Sequence, residues 1–123
     1  METIKDRMTH PVLSIEQDKT VKNAAENIYS NKVGSLLVTE NGNYIGIITK
    51  TDLMTRVLIK DLDAKTIKVS EVMSSPLYTI DSGESLAAAR EMLLEKSIRH
   101  LTVTHNDEVV GILSIKDLQQ NPS

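Results

Sequence analysis

The sequence predicts an α/β (α+β) fold made of two pseudo-symmetric β-α-β-β-α repeats that pack together through their sheets. When the 123-residue chain is shifted by 65 positions, residues 4–53 align with 69–118 without a gap and give 13 identities at 50 positions. Unrelated sequences match at roughly 1 position in 15 to 20. A chain of this length buries one core, or two small units that share one, so the repeats are expected to pack on each other.

The repeats set the expected domain boundaries. Residues 1–62 are assigned to repeat 1, 63–68 to a linker and 69–123 to repeat 2. We expect the last helix of repeat 2 to be truncated, because Asn121, Pro122 and the end of the chain follow it closely.

Each repeat begins with a short apolar patch that ends in Met, three residues before Pro11 or Pro76. Because proline does not sit inside a helix, strands are predicted to follow it, at 12–15 and 77–80. Thr20 and Ser85 are candidate N-caps. The apolar residues behind them recur at helical spacing, which predicts an amphipathic helix of about three turns in each repeat.

A hairpin and a second helix complete each repeat. Strands are predicted at 36–39 and 44–49 around Asn41-Gly42, and at 101–104 and 109–114 around Asn106-Asp107. A helix is expected to start near Asp52 or Asp117, and the first copy to run to about Leu62.

Composition excludes several classes of function. The net charge is −3, and the only aromatic residues are three tyrosines, so neither a basic surface nor stacking rings point to nucleic acid. No apolar run approaches the ~18 residues of a membrane span, and no export signal precedes Met8. The absence of cysteine fits a reducing compartment, so we expect a cytoplasmic protein.

No pattern in the chain indicates catalysis. The three histidines lack metal-ligand spacing, and we find no nucleophile elbow, phosphate-binding loop or zinc-protease motif. We therefore expect no enzyme activity, no catalytic residues, no metal and no catalytic cofactor.

The segments that could bind a ligand are Gly-Ile-Ile-Thr-Lys-Thr-Asp, ending in Thr49 to Asp52, and Gly-Ile-Leu-Ser-Ile-Lys-Asp, ending in Ser114 to Asp117. A carboxylate at such a strand end can accept hydrogen bonds from two neighbouring hydroxyls, as on a ribose. Alternatively, these residues only cap the helix that follows, a role for which they are strongly preferred.

The order Met-x-x-Pro, amphipathic helix, hairpin and Gly-h-h-Thr/Ser-x-x-Asp, where h is an apolar residue, resembles the cystathionine-β-synthase (CBS) domain. The resemblance covers residues 4–118 and holds in both copies. It implies a stand-alone tandem pair, with clefts between the repeats that bind AMP, ADP, ATP or S-adenosylmethionine. It also implies ribose contacts from Thr49 with Asp52 and from Ser114 with Asp117.

The same resemblance suggests roles for further residues. Arg99 and His100 stand where many family members place a basic pair, which suits phosphate oxygens. Repeat 1 has Gly34 and Ser35 at those positions, so the two sites should differ in their preference for phosphorylated ligands. The family holds adenine with residues two past the first proline. These are Leu13 and Tyr78 here, although Tyr78 could equally be a core residue.

The sequence therefore predicts a regulatory module that binds an adenosine-containing small molecule, most simply AMP, ADP or ATP, and signals to a regulated protein it does not identify. The alternative is a dimerisation or protein-interaction module without a ligand. A homodimer is expected in either case, with Leu58, Ile59 and Leu62 as plausible contact residues.

Overall fold

A computed structural model describes residues 2–119. In chain order its elements are α1 (Ile4–Arg7), β1 (Ser14–Glu16), α2 (Val21–Asn31), β2 (Ser35–Glu40), β3 (Asn43–Thr49), α3 (Lys50–Asp52), a π-helix (Leu53–Leu58), α4 (Val69–Val72), β4 (Thr79–Asp81), α5 (Leu86–Lys96), β5 (His100–His105), β6 (Glu108–Ser114) and α6 (Ile115–Gln119). The β-α-β-β-α order predicted for each repeat is confirmed.

The chain divides into two compact units. Residues Leu13–Leu77 form the continuous unit, and residues 2–12 with 78–119 form the discontinuous unit. Each contains a three-stranded sheet, in the order β1-β2-β3 or β4-β5-β6. The first pair in each sheet is parallel and the second antiparallel, so the two sheets repeat one topology.

Local sequence signals account for most of the element boundaries. The hydroxyls of Thr20 and Ser85 accept hydrogen bonds from backbone N–H groups three residues on, as their predicted N-cap role requires. Both hairpin turns place two consecutive residues at positive φ, from +50° to +82°. A type I′ turn needs this conformation, and Asn, Gly and Asp adopt it readily.

Three predicted boundaries are wrong. The strands after the prolines begin at Ser14 and Thr79, two residues later than expected, because ladder pairing with the neighbouring strand starts only there. The helix predicted to reach Leu62 ends at Leu58, since Asp61 adopts a left-handed φ of 58°. The predicted truncation at Asn121 and Pro122 lies outside the described residues.

The short helices α1 and α4 were not predicted, and each packs within the unit formed mainly by the other repeat. Val69 and Val72 of α4 join the core of the continuous unit, which also contains Ile15, Val21, Ala24, Ile28, Leu36, Val38, Ile48 and Val57. Ile4 of α1 joins the core of the discontinuous unit, with Ile80, Ala89, Leu93, Leu101, Val103 and Leu113. The sequence repeats therefore exchange their first segments.

The glycine on the third strand makes this exchange sterically possible. Ser74 and Ile47 exchange backbone hydrogen bonds of 2.8 and 3.0 Å, so residues 73–74 lie directly on β3. A Cβ at Gly46 would fall 2.7 Å from Met73 Sδ and 2.8 Å from the Ser74 carbonyl oxygen. Both repeats contain this strand glycine and the Met that precedes the proline. They occur together because the segment that carries the Met lies too close to the strand backbone for a Cβ.

No helix among the described residues is long and apolar enough to cross a membrane.

Candidate functional site

Four predicted site residues of the discontinuous unit lie in a row at one end of its sheet. Tyr78 precedes β4, and its carbonyl oxygen accepts a 2.9 Å hydrogen bond from Thr102 N. His100 opens β5 and pairs in register with Ser114, the last residue of β6. Asp117 follows in α6. We call Tyr78, His100, Ser114 and Asp117 the 78–117 row.

The continuous unit carries the equivalent row. The Leu13 carbonyl oxygen accepts a 3.0 Å hydrogen bond from Leu37 N, and Ser35 pairs in register with Thr49. Asp52 follows in α3. We call Leu13, Ser35, Thr49 and Asp52 the 13–52 row.

Backbone hydrogen bonds also confirm that Gly34 and Arg99 are equivalent. The carbonyl oxygen of Gly34 accepts a 3.1 Å bond from Lys50 N, and that of Arg99 accepts a 2.9 Å bond from Ile115 N. The basic pair predicted in repeat 2 therefore occupies the same backbone positions as Gly34 and Ser35 in repeat 1.

The carboxylate of Asp52 is buried and fixed by a capping box. Asp52 Oδ2 accepts hydrogen bonds from Thr49 N at 3.0 Å and from Thr49 Oγ1 at 3.1 Å, while Asp52 N donates to Thr49 Oγ1 at 3.1 Å. Oδ1 is 3.5 Å from Ser74 Oγ and 3.7 Å from Arg56 Nε. Asp52 therefore has the helix-capping role that the sequence suggested as an alternative. Capping uses Oδ2, and Oδ1 contacts Ser74 and Arg56.

Asp117 makes the same reciprocal pair in the discontinuous unit. Its Oδ2 accepts a 2.8 Å bond from Ser114 N, and its own N–H donates to Ser114 Oγ at 3.2 Å. Arg7 Nη1 donates to the Asp117 carbonyl oxygen at 2.8 Å. The other guanidinium nitrogens, Nε and Nη2, bind the Glu2 carboxylate at 2.5 and 2.7 Å.

Hydrogen bonds shift three pKa values in this N-terminal segment, and the backbone hydrogen bond from Thr3 lowers that of Asp6. The bond from Arg7 lowers the pKa of Glu2, and the same pair raises the pKa of Arg7. Through the hydrogen bond from Arg7 to the Asp117 carbonyl oxygen, α1 contacts the backbone of α6. The corresponding contact in the continuous unit comes from Arg56, whose Nη1 donates to the carbonyl oxygens of Val72 and Met73 at 3.1 and 3.2 Å.

The two rows differ most in positive charge. Arg99 is exposed and His100 half-buried. The Lys96 ammonium lies 5.5 Å from the centroid of the Tyr78 ring. The positions equivalent to Lys96, Arg99 and His100 in repeat 1 are Asn31, Gly34 and Ser35, which carry no charge.

Sequence reasoning missed four residues at these sites: Arg7, Arg56, Ser74 and Lys96. Arg7 and Ser74 come from the exchanged segments, whose packing partner a duplicated sequence does not specify. Arg56 could have been predicted from the sequence, because an arginine four residues after an aspartate faces it across one helical turn. Within residues 2–119, no group of three or more His, Asp or Glu residues could hold a metal ion.

Comparison with known proteins agrees with the fold. The family model of the CBS domain matches residues 4–59 and again 69–121. The chain therefore belongs to the CBS domain family and contains a tandem pair of these domains.

Relatives share this organisation. The CBS domain-containing protein YhcV of Bacillus subtilis (strain 168) is 32% identical over 121 residues, which are 98% of this chain and 86% of that protein. The chain also matches CBS domain-containing proteins of Arabidopsis thaliana, and it spans 21% of the length of those proteins.

Solved structures have the same architecture. A crystal structure described as a CBS domain, NE2398, has a TM-score of 0.82 and 30% identity, and the match covers 96% of this chain and 95% of that one. The CBS domain protein PAE2072 from Pyrobaculum aerophilum, complexed with AMP, has a TM-score of 0.83 over 98% of this chain and 92% of that one. Its 24% identity makes this a likeness of fold.

Proposed function

We propose that this chain is a regulatory module that binds adenosine-containing nucleotides at its two rows and passes the signal to a partner protein. AMP, ADP and ATP are the preferred ligands, and S-adenosylmethionine is the next candidate. The observation that carries the proposal is the placement of Asp52 and Asp117. Each carboxylate is held at a strand end through Oδ2, and Oδ1 is the oxygen that would accept a ligand hydroxyl, at Asp52 in place of the 3.5 Å contact with Ser74 Oγ.

The surroundings of each carboxylate support a ribose. The 2′ and 3′ hydroxyls are neighbouring donors, and a carboxylate held in a capping box presents its second oxygen in one orientation. Thr49 and Ser114 contribute hydroxyls beside it, and Leu13 and Tyr78 supply apolar surface for a base at the other side of each row.

The preference for phosphorylated ligands rests on the 78–117 row. His100 pairs with Ser114 in the sheet register, and the Arg99 carbonyl oxygen accepts a hydrogen bond from Ile115 N, so a guanidinium and an imidazole that can bind phosphate oxygens lie beside Ser114. The AMP complex of the Pyrobaculum aerophilum protein shows that a chain of this fold can hold such a ligand.

Thermal unfolding against AMP, ADP, ATP, S-adenosylmethionine, NAD and adenosine, with GTP as a control, tests the proposal. A ligand present at 100 times its Kd adds ~2.7 kcal/mol to the free energy of unfolding, which raises Tm by several degrees. We expect a shift with adenosine nucleotides and none with GTP. No shift with any of these compounds would contradict the proposal.

Variants at the aspartates assign the response to the rows. We expect Asp117→Ala to abolish nucleotide binding at the 78–117 row, and Asp52→Ala at the 13–52 row. Because both aspartates also cap helices, each alanine variant should lose ~1 kcal/mol of stability. Asn at either position keeps an oxygen that can accept the capping hydrogen bond. The Asn variants therefore separate an effect on binding from an effect on folding. If both single mutants and the double mutant bind like the wild type, the ribose assignment is wrong.

Self-association without a ligand is the second candidate function, and an apolar groove on the continuous unit favours it. The groove has a volume of about 400 Å³ and is lined by Leu53, Met54, Val57, Leu58 and Leu62 among other residues. Leu58 and Ile59 are 74% and 70% exposed. We propose a homodimer that covers this surface. Light scattering should show a dimer that Leu58→Glu dissociates, and a monomer at all concentrations would contradict it.

A further inference from the structure

We infer that Lys96 is a specificity-determining residue of the 78–117 row: it covers the Tyr78 ring in the free protein, gives way to the base of an incoming nucleotide, and then pairs with the phosphate. The inference rests on the proposed nucleotide site and adds a residue and a selection step to it.

The first step is the contact between Lys96 and Tyr78. The Lys96 ammonium lies 5.5 Å from the ring centroid, within the range of a cation–π interaction. Tyr78 is half-buried, and it packs against the core cluster of the discontinuous unit. A base that stacks on the ring face under Lys96 must therefore displace the ammonium.

The second step is where the displaced ammonium can go. Lys96 is the last residue of α5, three positions before Arg99. Its side chain is long and flexible, and α5 ends four residues before His100 of the 78–117 row, to which Arg99 is adjacent in the chain. A phosphate held by these two residues can accept a hydrogen bond from the ammonium as well.

These steps make Lys96 select for phosphate. Adenosine displaces the ammonium from the ring and offers it no new partner. AMP displaces it in the same way but provides a phosphate in exchange. The continuous unit has no such residue, because the positions equivalent to Lys96 and Tyr78 are occupied by Asn31 and Leu13.

The test compares adenosine and AMP affinity in Lys96→Gln, made in the Asp52→Ala background so that only the 78–117 row binds. Loss of the cation–π contact should raise adenosine affinity about two- to fivefold. AMP gains the same factor and loses the phosphate contact, which contributes about two- to fivefold at this exposed position, so AMP affinity should stay nearly unchanged. The AMP-to-adenosine affinity ratio therefore falls about two- to fivefold, because the displacement cost is common to both ligands and cancels.

Lys22→Gln is the matched control, since it removes the same charge from the opposite end of a helix, in the first turn of α2. It should leave the ratio unchanged. An unchanged ratio in Lys96→Gln, or equal losses for both ligands, would overturn the role of Lys96 while leaving the nucleotide site in place. Failure of the parent protein to bind any nucleotide would instead overturn the proposed function and this inference with it.

A spectroscopic measurement tests the displacement directly. In the free protein, the ring current of Tyr78 should shift the Lys96 Hε resonances upfield, and Tyr78→Leu should remove that shift. AMP should move these resonances back toward their ordinary position. Resonances that keep their upfield shift in the AMP-saturated protein would contradict the displacement.

Discussion

The continuous and discontinuous units share a backbone and differ in the charges placed on it. Their sheets have the same order and register, and a carboxylate follows the third strand of each. His100 lies in the 78–117 row with Lys96 and Arg99 beside it, whereas the equivalent residues at the 13–52 row are Ser35, Asn31 and Gly34. Duplication has therefore kept the scaffold and varied the charges at equivalent positions, and under the proposed function this difference sets what each row selects.

The arginines beside the two aspartates differ as well. Arg56 comes from the π-helix that follows Asp52, and it reaches both that carboxylate and the carbonyl oxygens of the exchanged segment. Arg7 comes from the exchanged segment itself and reaches the backbone of Asp117. The Asp52 carboxylate thus has a cation from its own helical segment beside it, while in the discontinuous unit the Arg7 guanidinium binds Glu2 and the Asp117 carbonyl oxygen and also interacts electrostatically with the Asp117 side chain.

The largest expected effect concerns the glycines that admit the exchanged segments. In Gly46→Ala the new Cβ meets a backbone oxygen, so we expect a loss of about 2–3 kcal/mol in the free energy of unfolding. In Gly111→Ala the nearest atoms belong to the flexible Met8 side chain, and the Thr9 carbonyl oxygen is 3.1 Å away. A loss of about 1–2 kcal/mol is expected there.

Urea unfolding measures this difference. Gly34→Ala is the control, because a Cβ at Gly34 has no described neighbour within 4 Å, and its effect should stay within ~0.5 kcal/mol. Equal losses of unfolding free energy in Gly34→Ala and Gly46→Ala would show that the packing of residues 73–74 on β3 is not the reason for a glycine at position 46.

The next effect tests the charge difference. Arg99→Gln should lower the AMP affinity of the 78–117 row about tenfold, because a hydrogen bond to a charged group contributes about 1.5–3 kcal/mol and part of that is lost to solvent at this exposed position. Adenosine affinity should stay within about twofold. Isothermal titration in the Asp52→Ala background measures both affinities.

The reciprocal change is Gly34→Arg, which places a guanidinium beside the 13–52 row. We expect AMP to bind this row more tightly, as measured in the Asp117→Ala background. If Arg99→Gln weakens adenosine and AMP alike, the charge difference between the rows does not select for phosphate.

Much of the fold could be predicted from sequence, because helical spacing, N-caps and turn residues act over short range. Thr20, Ser85 and the two hairpin turns show this directly. The exchange of α1 and α4 could not be predicted. Both copies carry the same Met-x-x-Pro and the same strand glycine, so packing within a copy and packing between copies satisfy the same pattern.

The candidate sites divide in the same way. Sequence places Thr49, Asp52, Ser114 and Asp117 at strand ends, where the structure has them. It does not reveal that Asp52 is buried against Ser74 and Arg56, since those contacts depend on tertiary packing. Lys96 was missed because it stands outside the motif, and its contact with Tyr78 depends on how α5 packs.

The smallest expected effect concerns pH. The hydrogen bond from Arg7 lowers the pKa of Glu2, so the contribution of this pair to stability is present above the unfolded-state pKa of about 4.5 and is lost as pH falls through the lower folded-state pKa. Docking of α1 should therefore weaken in acid, as seen in the amide exchange of Met8 and Thr9. Glu2→Gln is the control. If its exchange shows the same acid dependence as the wild type, this pair is not the cause.

A residue-resolved NMR titration distinguishes the ligand preferences proposed for the two equivalent rows. AMP should shift the amides of Ser114 and Asp117 at lower concentration than those of Thr49 and Asp52, and adenosine should reduce that difference. Identical AMP titration at the two rows, or no shift at either, would contradict a difference in ligand preference between them.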